Sequence, residues 1–138
     1  MNNRMELGLL VLRLGLGAFL LLFGIDKLVA PYTTVEVFAR YYDFTDMPPS
    51  AAYIAGVLEI ALAVAILAGI RQTWSYGLGL LVHAVSTLAT YEELLSPFGD
   101  NHLYLAAIPV LAGFVSLFLL RRYDVLWRLG PRARSRPA

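Results

Sequence analysis

The sequence predicts an all-α membrane protein, a bundle of four transmembrane helices with an interfacial amphipathic segment between the first and second. Three observations carry that prediction. Hydrophobic residues make up 59% of the 138-residue chain and charged residues 15%, against about 25% charged in soluble proteins. Four separate stretches, at about 7–29, 51–69, 74–91 and 103–120, approach or meet the roughly 20 apolar residues that a hydrocarbon core of about 30 Å demands. Each stretch also carries a stripe of small or polar residues at alternating four- and three-residue spacing, the seam of packed helices. Together the spans use most of the chain as a single membrane domain. Chemistry is thereby confined to the helix interfaces, the helix ends or a partner protein.

The first stretch, Leu7 to Val29, follows a short segment bearing Arg4. Arg13 interrupts it and no small-x-small cleavage site precedes Pro31, so it reads as a retained span rather than a cleaved leader. Between Ala30 and Ser50, Val35, Phe38, Tyr41 and Tyr42 recur at helical spacing opposite Glu36, Arg40 and Asp43. That pattern predicts a short helix in the membrane interface, its aromatics at headgroup depth, ended by Pro48 and Pro49. The second and third spans are joined only by Ile70 to Thr73, which makes them antiparallel neighbours. A polar turn with Glu92, Glu93, Pro97, Gly99 and Asp100 leads into the fourth. Residues 121–138 read as a basic tail whose end is disordered.

The net charge of +1 conceals a strong asymmetry. Arg4, Arg71, Arg121, Arg122, Arg128, Arg132, Arg134 and Arg136 flank one side of the predicted bundle, and only Lys27 and Arg40 flank the other. Cationic flanks stay in the cytoplasm, so both termini are expected there, in the cell or inner membrane of the host. Four spans give the same parity. The tail arginines are read as a topology signal and a contact with membrane lipid, not with nucleic acid.

Absence of cysteine excludes disulfides, thiolate metal sites, iron–sulfur clusters and a dithiol relay within the chain. The glycines of the first span lie at membrane depth and form no phosphate loop. His83 and His102 differ in predicted depth by about 15 Å at helical rise, too far to share a haem or a metal. No metal and no covalent cofactor are therefore expected. His102, next to Asp100 and Asn101, reads as a helix-start residue.

Ionisable groups at bilayer depth cost about 2.5–3.5 kcal/mol each and require a reason. Arg13, Glu59 and His83 are the three candidates, one on each of three spans. They fall on the inward stripes: Arg13, Gly17, Leu20, Gly24 and Lys27 in the first; Ala52, Gly56, Glu59 and Ala63 in the second; Tyr76, Leu80, His83, Thr87 and Thr90 in the third. Ala106, Pro109, Gly113 and Ser116 form the stripe of the fourth. Two readings stand side by side. Arg13 and Glu59 lock the first two helices as an ion pair with His83 as hydrogen-bond partner, or the three line a polar pocket that holds the headgroup of a lipophilic ligand such as a quinone, with Lys27 capping its mouth, or moves a proton through Glu59 and His83.

Arg13 to Leu28 (RLGLGAFLLLFGIDKL) and Tyr53 to Ile70 (YIAGVLEIALAVAILAGI) resemble the DoxX family of small four-helix membrane proteins. The resemblance implies an accessory or quinone-interacting subunit of a membrane oxidoreductase, with a redox partner protein and homo-oligomerisation as further expectations. One departure is the segment Asn101, His102 and Tyr104, where many relatives carry a glutamate. Alternatives from other classes are a non-enzymatic scaffold or assembly protein and, as an oligomer, a transporter of small solutes.

Overall fold

The computed structural model of the chain describes residues 3–131. The end of the basic tail, with Arg132, Arg134 and Arg136 and the predicted disorder, lies outside the described residues. The described residues form six α-helices: α1 (Asn3–Val29), α2 (Pro31–Tyr42), α3 (Pro49–Leu67), α4 (Gln72–Ala89), α5 (Tyr91–Leu95) and α6 (Ala107–Leu119), the last preceded by a 3-10 stretch over Gly99–Ala106. The helices α1, α3, α4 and α6 pack side by side in up-down-up-down order. Their core consists of Leu9, Leu16, Leu20, Ala63, Ile66, Tyr76, Phe114 and Leu117.

Glycine sets the α1–α3 pairing. A Cβ on Gly17 would lie 2.6 Å from the Leu67 side chain, one on Gly24 3.0 Å from the Ile60 backbone nitrogen, and one on Gly56 2.9 Å from the Gly24 carbonyl. Backbones this close exchange dispersion contacts that lipid cannot supply, and only glycine permits the approach. On the other side of the bundle, Gly77 and Gly79 of α4 receive Phe118 and Phe114 of α6. The inward stripes expected for the first three spans are accordingly buried at Arg13, Gly17, Leu20, Gly24, Ala52, Gly56, Ala63, Tyr76, His83 and Thr87.

The stripe expected for the fourth span is corrected. Ala106, Pro109 and Ser116 are exposed, and α6 turns Phe114 and Leu117 inward instead. Small residues are needed on only one partner of a close pair, and α4 supplies them here.

Among the described residues, three helical stretches are long and apolar enough to cross a membrane: Asn3–Val29, Pro49–Leu67 and Gly99–Leu119. The remaining bundle helix, α4, has 18 residues but carries Gln72, Thr73, Ser75, Tyr76 and His83 within them. Of its polar residues, Ser75, Tyr76, His83 and Thr87 are turned into the bundle, whereas Thr73 and Ser86 are exposed. Lipid-facing positions are apolar, with Leu22, Phe23, Ile54, Val57, Leu58, Leu81, Leu88 and Leu119 all exposed. The segment between α1 and α3 is helical where expected. Pro31 opens α2 at its first turn, and Asp43 in the left-handed region closes it by donating its N–H to the Phe38 carbonyl.

Residues after α6 do not leave the bundle at once. Leu129 N–H donates to the carbonyl of Ala68 at 2.7 Å, and Trp127 takes a positive φ of 47°. The segment 120–131 therefore folds back across the α3–α4 turn and closes that end of the bundle.

Candidate functional site

Arg13 lies on the buried face of α1, level with the α3–α4 turn, fully enclosed, and its partner is Asp124, also fully enclosed. Nη1 donates to Oδ1 at 2.9 Å and Oδ2 at 3.0 Å. Nη2 donates to the carbonyls of Leu126 at 2.9 Å and Trp127 at 3.0 Å. Two further donors converge on Asp124: the Tyr76 hydroxyl on Oδ2 and Gln72 Nε2 on its backbone carbonyl at 2.7 Å. One carboxylate thus ties α1 and α4 to the closing segment. Nε of Arg13 is the one buried side-chain nitrogen or oxygen without a hydrogen-bond partner among the described residues.

Glu59 does not meet Arg13. It pairs with Lys27 at 2.6 Å, the two side chains 12% and 17% exposed. The register explains the separation: Gly17 faces Leu67 and Gly24 faces Ile60, so Arg13 and Glu59 sit about 18 Å apart along the axis at 1.5 Å per residue. Lys27, expected at a cavity mouth, is the partner of Glu59 and also donates to the Phe23 carbonyl at 3.3 Å.

His83 belongs to neither pair. Its ring stacks on Phe114 and meets Phe19 edge-on, both at centroid distances of 5.6 Å, and Nε2 lies 3.1 Å from the carbonyl of Ala107. Because a carbonyl only accepts, Nε2 carries the proton. The expected cluster of Arg13, Glu59 and His83 is therefore resolved into three separate assemblies.

At the end of the bundle opposite Arg13, a fourth polar group involves residues that the sequence did not single out as a site. Glu93, 7% exposed, accepts from Tyr41 at 3.1 Å and from Arg40 at 3.4 Å, and the Tyr41 and Tyr104 hydroxyls are 2.7 Å apart. Burial, the Tyr104 hydrogen bond and the nearby Glu93 charge all raise the Tyr41 phenol above its ordinary range. Tyr41 thus stays protonated and pins α2 to α5 and the 3-10 stretch. His102 is exposed, with Nδ1 2.6 Å from the Gly99 carbonyl, at the start of that stretch.

Asp124 was hidden from sequence reasoning by its position after the last span, in a segment dominated by arginine. The available signal was its place as the only acidic residue between Asp100 and the C-terminus.

Such an arrangement defines a multi-pass helical membrane protein whose buried charges satisfy one another within the bundle. Residues 5–102 match the family described as methylamine utilisation protein MauE. That is well over half of the chain, and the protein belongs to the MauE family. No curated protein and no solved structure matches it.

The family match overturns the resemblance to DoxX. Both segments that carried the resemblance, Arg13 to Leu28 and Tyr53 to Ile70, lie inside the matched region. Among their shared features is glycine at the helix contact, which close crossings of membrane helices commonly use. The match stops at residue 102, so α6 and Asp124 lie beyond it.

Proposed function

We propose that this chain is a four-span membrane accessory component of a methylamine-utilisation type of system, serving a partner protein rather than turning over a substrate by itself. The observation that carries the proposal is the family match over residues 5–102. Geometry supports an accessory reading. Arg13 is consumed by Asp124 and Glu59 by Lys27, so these charges act as locks between helices. The surfaces left for a partner are the two ends.

In this reading α4 crosses the membrane as the fourth span, with Ser75, Tyr76, His83 and Thr87 sheltered in the bundle. The α3–α4 turn and the closing segment face the cytoplasm, in keeping with the distribution of arginine. Helix α2 lies along the opposite interface, its exposed Tyr32 and Val37 toward lipid. In the host, deletion of the gene is expected to abolish growth on methylamine as sole nitrogen source while growth on ammonium persists. Unimpaired growth on methylamine contradicts the proposal.

A quinone remains a second proposal, and its place would be the exposed apolar face of α3 formed by Tyr53, Ile54, Val57 and Leu58, an open surface toward lipid. A thermal shift with ubiquinone that is lost in Val57→Trp supports it. No shift refutes it.

A further inference from the structure

The end of the bundle closed by Asp124 presents a groove of about 480 Å³ lined by Arg71, Thr73, Trp74, Arg121, Arg122 and Arg128, together with Gln72. Its cations fall into two kinds. Arg121 is held by Thr73 Oγ1 at 3.1 Å and the Phe118 carbonyl at 2.7 Å, with its guanidinium over the Phe118 ring. Arg128 is held by Gln72 Oε1 at 3.2 Å and the Pro131 carbonyl at 2.9 Å. Both are thus fixed in place by neutral groups, which leave their charge uncompensated. The guanidinium groups of Arg71 and Arg122 are exposed and have no partner among the described residues. No acidic residue lines the groove, and the nearby Asp124 is committed to Arg13 and Tyr76.

Two further features converge on the same place. Helix α4 opens there on Arg71 in the left-handed conformation without a side-chain cap, so its first N–H groups and the positive end of its dipole add to the field. Trp74 in the groove's lining and Trp127, next in sequence to Arg128, are 71% and 80% exposed, as indole rings at headgroup level are. Four guanidinium groups with fork geometry, a helix N-terminus and flanking indoles match a phosphate group held at a membrane surface.

We propose that this groove binds a phosphate-bearing anion, with Arg121 and Arg128 as its fixed walls and Arg71 and Arg122 as the arms that close on it. The chemistry is shared by the headgroup of an anionic phospholipid and by soluble phosphate. The site stands apart from the family assignment and would hold for either orientation of the bundle.

Native mass spectrometry of the full chain, released from nanodiscs of phosphatidylglycerol and phosphatidylcholine in equal amounts, tests it. Phosphatidylglycerol should be retained preferentially, and Arg71→Gln/Arg122→Gln should weaken retention by about 30-fold, the loss of two arginine contacts at a membrane surface. Arg71→Lys/Arg122→Lys should restore part of it, and Arg40→Gln at the opposite end should change nothing. Circular dichroism confirms that each variant is folded. A thermal shift with inorganic phosphate alone, abolished in the double Gln variant, keeps the site and assigns a soluble source. Equal retention of the two lipids without a phosphate shift, or retention unaffected by the double Gln variant, overturns the proposal.

Discussion

Replacement of Asp124 by alanine removes the one charge that compensates Arg13. Both side chains are fully enclosed, so solvent cannot take over the role of the carboxylate. Arg13 would lose both bonds from Nη1 and keep those from Nη2 to Leu126 and Trp127, which satisfy donors but not charge. Breaking a buried pair from one side costs about 3–5 kcal/mol, and Asp124→Ala is expected in that range by unfolding in mixed detergent micelles. Arg13→Met leaves Asp124 buried without its counter-charge and should cost a comparable amount, although Tyr76 and Gln72 still donate to it. The double variant Arg13→Met/Asp124→Leu should be more stable than Asp124→Ala alone, since it leaves no orphaned charge. A value for Asp124→Ala within about 1 kcal/mol of the parent protein, where exposed pairs fall, would refute the reasoning.

Other expectations concern the α1–α3 contact, the second ion pair and the topology. Gly56→Ala should cost about 1–3 kcal/mol by overpacking against the Gly24 backbone, whereas Gly15→Ala, with open space at its Cβ, should be neutral or stabilising by up to about 1 kcal/mol; the same unfolding assay checks both. Glu59→Gln should cost about 2 kcal/mol, between the values for exposed and fully buried pairs, with the fold retained by circular dichroism. With no native cysteine, a single cysteine at Thr45 should react with an impermeant maleimide on intact cells. One at Arg136 should react only after permeabilisation, and the reverse pattern overturns the orientation.

Helix positions and the inward faces of the first three bundle helices were legible because they follow from length and spacing, whereas the inward face of α6 was not. Gly17, Gly24 and Gly56 announced a close crossing, and Arg13, Glu59 and His83 fell on buried or half-buried positions as periodicity required. Partner choice was not legible. It depends on the register of α1 against α3, which is set by side-chain fit to within a few ångströms, whereas spans drawn from hydropathy alone have uncertain ends. An error of a few residues in each was enough to bring Arg13 and Glu59 falsely to one depth. Asp124 was missed for a different reason: hydropathy ends the fold at Leu120, while the chain uses the next eleven residues to return a carboxylate to the interior. The family was misread because the motifs in α1 and α3 express helix packing, which unrelated membrane bundles share.

The central claim is that the buried charges hold the bundle together while function resides at its ends. Growth on methylamine of a deletion strain carrying Arg13→Met/Asp124→Leu tests it most directly, with the protein quantified in membranes and its fold checked by circular dichroism. The account predicts growth close to that of the parent strain. A folded, membrane-inserted double variant that fails to restore growth would contradict it and place the function in the Arg13–Asp124 pair itself.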